Sequence, residues 1–226
     1  MEKTIVTAVT TTYWWSSFGA RLFCWFYCFG PLGIRIRGLE NVPTEGAVII
    51  AANHMSYVDV MLLGGFIRSR HVCFAARASL GRNRLMAKVL EGCGCVPVVT
   101  DGTDATNRQA QSDMIAHLKA GDALVLLPEG TRSPDGKVKP FKPGAAVMAK
   151  RTGTTVIPVG IRGTYWVWPK GRAFPLPGFV SLEFGSPIKP DQFAKSRDLA
   201  NRIEAIVCEL AHQEPSTSHT KDELVA

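Results

Sequence analysis

Charge is nearly absent from the start of this chain: over residues 4–34 only Arg21 carries one. Other absences narrow the function. There is no zinc-finger spacing, no Lys/Arg cluster and no RNP-like string, so nucleic acid is not an expected partner. No Gly-x-Ser-x-Gly elbow occurs. The run from Gly130 to Gly136 and Lys137 is one residue too long for a P-loop, and Val138 stands where Ser or Thr is required. Cys24, Cys28, Cys73, Cys93, Cys95 and Cys208 follow neither a disulfide framework nor a zinc pattern, and they read as reduced thiols. A single residue separates Cys93 from Cys95, where a redox pair has two, so these read as small buried hydrophobes. The spacing shows no metal constellation, and no cofactor is expected. A weak n-region without a clear small-residue cleavage site argues against a signal peptide.

What is present fits one domain with one sizeable core: 226 residues, 46% of them hydrophobic. The net charge of +7 suits an anionic partner such as acidic lipid or a phosphorylated substrate. The early stretch is aromatic, with Tyr13-Trp14-Trp15 and the run from Leu22 to Phe29. Arginine at a bilayer centre costs about 2.5–3.5 kcal/mol on insertion scales, and Arg21 divides the stretch. Residues 1–33 are therefore expected as a helical segment lying in one leaflet, with Arg35 and Arg37 at headgroup level; a soluble helix over the core is the alternative. A second candidate for membrane docking is the aromatic and basic loop 164–172.

Beyond Gly33, strands alternate with helices. Strands are expected at Ile34–Arg37 (an edge), 47–52, 72–75, 96–99, 123–127, 154–160 and 180–184. Helices are expected at 56–67, 80–91 (Leu85, Met86, Val89 and Leu90 on one face), 104–120, 144–152 and through Leu199, Ile203, Ile206, Val207 and Leu210. The pattern predicts a single-domain α/β fold over 34–211, a mixed sheet flanked by helices. Chemistry belongs on loops at strand ends, and 212–226 reads as a polar, disordered tail.

Two strand ends carry the chemistry. After the apolar run 47–52 comes Asn53-His54-Met55-Ser56-Tyr57-Val58-Asp59. An imidazole accepts a proton near neutral pH, and a carboxylate can fix its tautomer, so His54 and Asp59 fit a base activating an external hydroxyl. Ser56 and Asp59 also fit a helix-opening capping box, in which Asp59 serves backbone N–H groups and His54 is a plain loop residue. After the run 123–127 comes Pro128-Glu129-Gly130-Thr131-Arg132-Ser133. Gly130 permits a tight turn whose N–H groups face an anion, and Arg132 brings a planar fork suited to phosphate. The alternative is a Glu129–Arg132 ion pair in a loop. Phe141-Lys142-Pro143-Gly144 then opens a helix N-terminus, a second anion site.

The order and spacing of the segments beginning Asn53 and Leu126, followed by 141–146 and 155–161, resembles the glycerolipid acyltransferases of the 1-acyl-sn-glycerol-3-phosphate acyltransferase type. The resemblance covers roughly residues 30–190. It implies that His54 deprotonates the hydroxyl of a lysophospholipid and that Asp59 orients it. Glu129, Gly130, Thr131 and Arg132 would form the glycerol-phosphate site, with Lys142 close by. Val156, Ile157 and Pro158 would line the acyl region. Acyl-CoA or acyl carrier protein would be the donor, with the protein docked on an anionic membrane surface at the cytoplasmic face, in bacteria the inner membrane. Two departures stand out: Arg77 occupies the place of an expected lysine, and 99–102 lacks the expected arginine at a strand end.

Overall fold

A computed structural model describes residues 33–67, 70, 72–78, 84, 87–88, 95–98 and 104–215. The expected N-terminal docking segment, most of the helix expected at 80–91, the strand end at 99–102 and the end of the tail lie outside these residues. Strands β1 (Ile34–Arg37), β2 (Val48–Ala52), β3 (Val72–Arg77), β4 (Cys95–Val98), β5 (Ala123–Leu126), β6 (Thr155–Arg162) and β7 (Val180–Phe184) form one sheet, in the order β1-β7-β6-β2-β5-β3-β4. Only β6 and β7 pair antiparallel; the other neighbours run parallel. The sheet is mixed, as the sequence predicts. Its helices are α1 (Tyr57–Phe66), α2 (Asp104–Lys119), α3 (Gly144–Thr152), the single turn α4 (Thr164–Val167) and α5 (Ser196–Leu210).

Burial explains why β2 and β5 are apolar throughout. Parallel strands covered on both faces show no alternation. Ile49 and Ala51 of β2 pack beneath α2, α3 and α5, whereas Val48, Ile50 and Ala52 pack against α1. Each fully buried Ile or Leu contributes about 1.5–3 kcal/mol over exposure. The edge strand β1 does alternate, with Ile34 and Ile36 turned inward and Arg35 and Arg37 exposed.

Two expectations need correction. Val156 and Ile157 are fully buried in β6 and belong to opposite faces of the core. They build the sheet and offer no surface to an acyl chain. Gln213, expected in a free tail, accepts from the Val138 N–H at 2.8 Å and donates to the Gly136 carbonyl at 2.9 Å. It ties the chain after α5 to the loop 136–138, a pairing invisible from its polar neighbours.

Helix α5 crosses β6 at Gly160. A Cβ there would stand 2.4 Å from the Leu210 carbonyl carbon and 2.5 Å from the Ala211 nitrogen. We predict that Gly160→Ala lifts the end of α5 from the sheet and costs about 1–3 kcal/mol. Gly144→Ala, with open space around its Cβ, serves as control; urea midpoints read both.

Candidate active site

The register of the sheet assembles the site. Ala51 of β2 pairs with Leu126 of β5, so continuing the two parallel strands brings His54 level with Glu129. The backbones lock at that point. The His54 N–H donates to Glu129 Oε1 at 2.9 Å, and the Ser133 N–H donates to the His54 carbonyl at 2.8 Å. Residues 75 apart in sequence thus share one turn.

On the other side, Asn53 fixes the strand exit. Its buried amide donates to the Ile161 carbonyl at 2.9 Å and accepts from the Ile161 N–H at 2.7 Å. This bridges β2 to β6 beyond the last regular pair between those strands. Asn53 stands in the motif, yet nothing in its sequence neighbourhood points to a partner on β6.

Asp59 satisfies both readings of its motif at once. Its carboxylate is fully buried. Oδ2 accepts from the Met55 N–H at 2.7 Å and the Ser56 N–H at 2.8 Å, and lies 3.0 Å from His54 Nδ1. Ser56 completes a capping box at the start of α1, its Oγ accepting from the Val58 N–H at 3.2 Å. The helix cap therefore also orients the imidazole. With Nδ1–H directed at Asp59, Nε2 is left as the acceptor, and the side chain of His54 keeps 15% of its surface accessible.

Glu129 is buried beside this pair. Its Oε2 has no hydrogen-bond partner. Desolvation raises its pKa to about 8, against the opposing pull of the His54 and Lys139 backbone N–H groups. No ion pair joins Glu129 to Arg132 among the described residues. Arg132 instead places its guanidinium carbon 3.6 Å from the ring centroid of Tyr57, a cation–π arrangement. Tyr57 in turn meets Trp168 edge-on at 5.8 Å, and Ser56 Oγ donates to the Trp168 carbonyl at 2.8 Å.

Gly130 sits at φ 71°, in the left-handed region that glycine adopts freely. The Lys142 side chain lies across it: a Cβ at Gly130 would stand 3.1 Å from Nζ. The Lys142 N–H also closes on the Pro128 carbonyl at 3.0 Å. Thr131 is half-buried in the same turn. Helix α3 begins at Gly144 with no side-chain cap, so its first N–H groups have no partner from a capping side chain. Glu204 of α5 supports this loop from below, accepting from the Phe141 N–H at 2.8 Å. The apolar spacing of α5 conceals it, because Glu204 shares the buried face. Arg77 ends β3, whose register sets it one residue past the level of Ala52; its side chain lies outside the described set.

An imidazole held by a buried carboxylate thus stands next to a glycine turn bearing two cations, at one end of an α/β sheet. The acyltransferase family model matches residues 33–162, and the chain belongs to that family. A chloroplastic 1-acyl-sn-glycerol-3-phosphate acyltransferase of Arabidopsis thaliana is 30% identical over 143 residues, covering 61% of this chain and 38% of the relative. The chain thus spans about two fifths of the length of the first plant relatives it matches. The 1-acyl-sn-glycerol-3-phosphate acyltransferase of Bacillus subtilis (strain 168) is 25% identical, over 72% of this chain and 77% of its own length. The crystal structure of the 1-acyl-sn-glycerophosphate acyltransferase PlsC from Thermotoga maritima superposes with a TM-score of 0.76 at 31% identity, covering 93% of this chain and 81% of that one.

The buried carboxyl of Glu129 predicts a pH signature. Between the unfolded value near 4.5 and the folded value of about 8, the native state holds a proton that the unfolded chain releases. Stability from this group is therefore present below pH 4.5 and declines toward pH 8. Glu129→Gln keeps an oxygen for the His54 N–H and removes the titration. Its stability relative to wild type is expected to rise by on the order of 2–4 kcal/mol from pH 5 to pH 8. Denaturant unfolding at the two pH values measures this; parallel curves would show that Glu129 stays ionised.

Proposed function

We propose that the chain transfers an acyl group from a thioester to the free hydroxyl of a lysophospholipid, with 1-acyl-sn-glycerol-3-phosphate as acceptor and phosphatidic acid as product. The observation that carries this reading is the His54 imidazole held at Nδ1 by buried Asp59, at a strand end shared with the turn that bears Arg132. In this reading His54 Nε2 takes the hydroxyl proton as the oxygen attacks the thioester carbon. A tetrahedral intermediate forms, and its collapse expels the thiolate, which receives the proton from the imidazolium. Asp59 holds the tautomer and stabilises the imidazolium without being protonated itself. Arg132, Lys142 and the N–H groups around Gly130 bind the acceptor phosphate, with Thr131 beside them and Arg77 as a further cation. The buried Glu129 acts as a positioning residue, since its oxygen fixes the His54 backbone.

One panel tests the whole reading. Purified full-length protein is assayed with lysophosphatidic acid, a lyso-ornithine lipid and a phosphate-free lyso-lipid, each with acyl-CoA and with acyl carrier protein as donor. His54→Ala is expected to lose about 10²–10⁴ in rate. Arg132→Ala is expected to raise KM for lysophosphatidic acid far more than for the phosphate-free acceptor, with partial rescue by Arg132→Lys. Wild-type turnover by a folded His54→Ala protein would exclude His54 as the base. Binding without turnover in the wild type would make the protein a lipid carrier on an acyltransferase fold.

The acceptor is an amphiphile, and the surface beside the site suits a bilayer. Trp166, Phe174, Phe179 and Leu176 are 77%, 76%, 58% and 47% exposed, and Lys170 and Arg172 stand among them, also exposed. Through Trp168, this segment is joined to Ser56 and Tyr57. Exposed aromatics interleaved with cations favour the headgroup level of an anionic membrane. No described helix is long and apolar enough to cross a membrane. The double change Trp166→Ala with Phe174→Ala is expected to lower co-sedimentation with phosphatidylglycerol liposomes several-fold. Unchanged binding would leave docking to the segment before residue 33.

A further inference from the structure

Away from His54 and Asp59, the fold brings a cysteine against a histidine 44 residues later and an aspartate five residues beyond that. Cys73 lies in β3, His117 in the last turn of α2 and Asp122 immediately before β5. Their donor atoms converge: Cys73 Sγ to His117 Nδ1 is 3.3 Å, His117 Nδ1 to Asp122 Oδ2 is 2.8 Å, and Cys73 Sγ to Asp122 Oδ2 is 3.8 Å. This is not the layout of a nucleophilic relay. In a relay the nucleophile and the carboxylate meet opposite ring nitrogens. Here sulfur and oxygen both face the same nitrogen and also each other, so the three atoms form the face of a small polyhedron.

The geometry points to a metal site at Cys73, His117 and Asp122 that takes a borderline-soft divalent cation of the zinc class. Zinc bonds of about 2.0–2.3 Å at tetrahedral angles set donor atoms about 3.3–3.6 Å apart. The observed triangle brackets that spacing, and the His117–Asp122 edge must open by about half an ångström. One thiolate, one imidazole and one carboxylate suit zinc, not the all-oxygen shells of calcium or magnesium. The cysteine is buried, while the side chains of His117 and Asp122 are 37% and 23% exposed. Protein thus closes one side of the site, and water can supply the fourth ligand on the other. Loading releases the Cys73 proton to solvent, and a Nδ1 proton must also leave or move to Nε2. Burial and Asp122 hold the thiol well above the ordinary range, so metal and proton compete for the sulfur. Arg70 adds a nearby positive charge that couples to Asp122 and anchors to the Gly46 and Gly121 carbonyls.

The position argues for a structural role. Asp122 precedes β5, whereas His54 follows β2, and these strands run parallel in register from Val48 and Ala123. The two centres therefore lie at opposite ends of the sheet, roughly 17–23 Å apart at about 3.3 Å per residue. A metal there would join β3, α2 and β5 and leave acyl transfer to the other end, so this inference stands independently of the proposed reaction.

Cobalt(II) is the direct probe, because thiolate ligation produces a charge-transfer band in the near ultraviolet. Full-length protein is stripped with EDTA and titrated with cobalt chloride, then with zinc chloride. The expected result is a band saturating at about one equivalent, bleached by zinc, with a melting temperature several degrees higher after zinc loading. Cys73→Ala is expected to lose the band, and His117→Gln and Asp122→Asn to weaken metal binding at least tenfold while acyl transfer is unchanged. A folded wild type with no thiolate band overturns the proposal, as does a band that persists in Cys73→Ala. Should Cys73→Ala not fold, undiminished cobalt affinity in both His117→Gln and Asp122→Asn overturns it equally.

Discussion

One carboxylate oxygen organises the candidate site. Asp59 Oδ2 receives two backbone N–H groups and faces the imidazole of His54. A fully buried carboxylate is costly unless donors converge on it. Here the donors are the amides of Ser56, the N-cap of α1, and of Met55 just before it, so the turn that opens a helix stabilises the charge that holds the histidine. Orientation of the imidazole and nucleation of the helix are one event. Disturbing either disturbs the other, since the helix cap and the carboxylate–imidazole contact share one oxygen.

The second strand end depends on the first. The two backbone groups of His54 are taken up by Glu129 and Ser133. Asn53 simultaneously holds the strand against β6. The proposed base is thus clamped from β5 and β6, the two strands that flank β2. Glu129 is placed at the expense of its own ionisation, since burial leaves one of its oxygens without a partner. A strained electrostatic position of this kind is common where geometry must be held for chemistry. Arg132 is freed from Glu129 by the same arrangement and rests on the Tyr57 face, toward the exposed aromatic segment.

The sheet also separates its tasks by end. The loops that follow β2 and β5 carry the proposed acid–base pair and the glycine turn. The opposite end gathers a thiol, an imidazole and a carboxylate where α2 turns into β5. Parallel strands make this division natural, because every crossover helix returns the chain to the other end.

Periodicity by itself determined the seven strands and the helices α1, α2, α3 and α5. Unbroken apolar runs marked β2 and β5 because both of their faces are covered, and the bounds of α3 and β7 coincide with those expected. Motif spacing by itself supplied His54, Asp59 and the 129–132 turn, and with them the family, because these residues lie close together along the chain. Tertiary structure decided everything that depends on which strands are neighbours. The Asn53–Ile161 bridge, the Glu129–His54 bond, Glu204 beneath Phe141, Gln213 on the loop 136–138 and Cys73 against His117 and Asp122 join positions from 44 to 108 residues apart. Sequence could not show them, because a side chain's partner across a sheet is set by strand order and register, which belong to the packed fold and leave no local pattern.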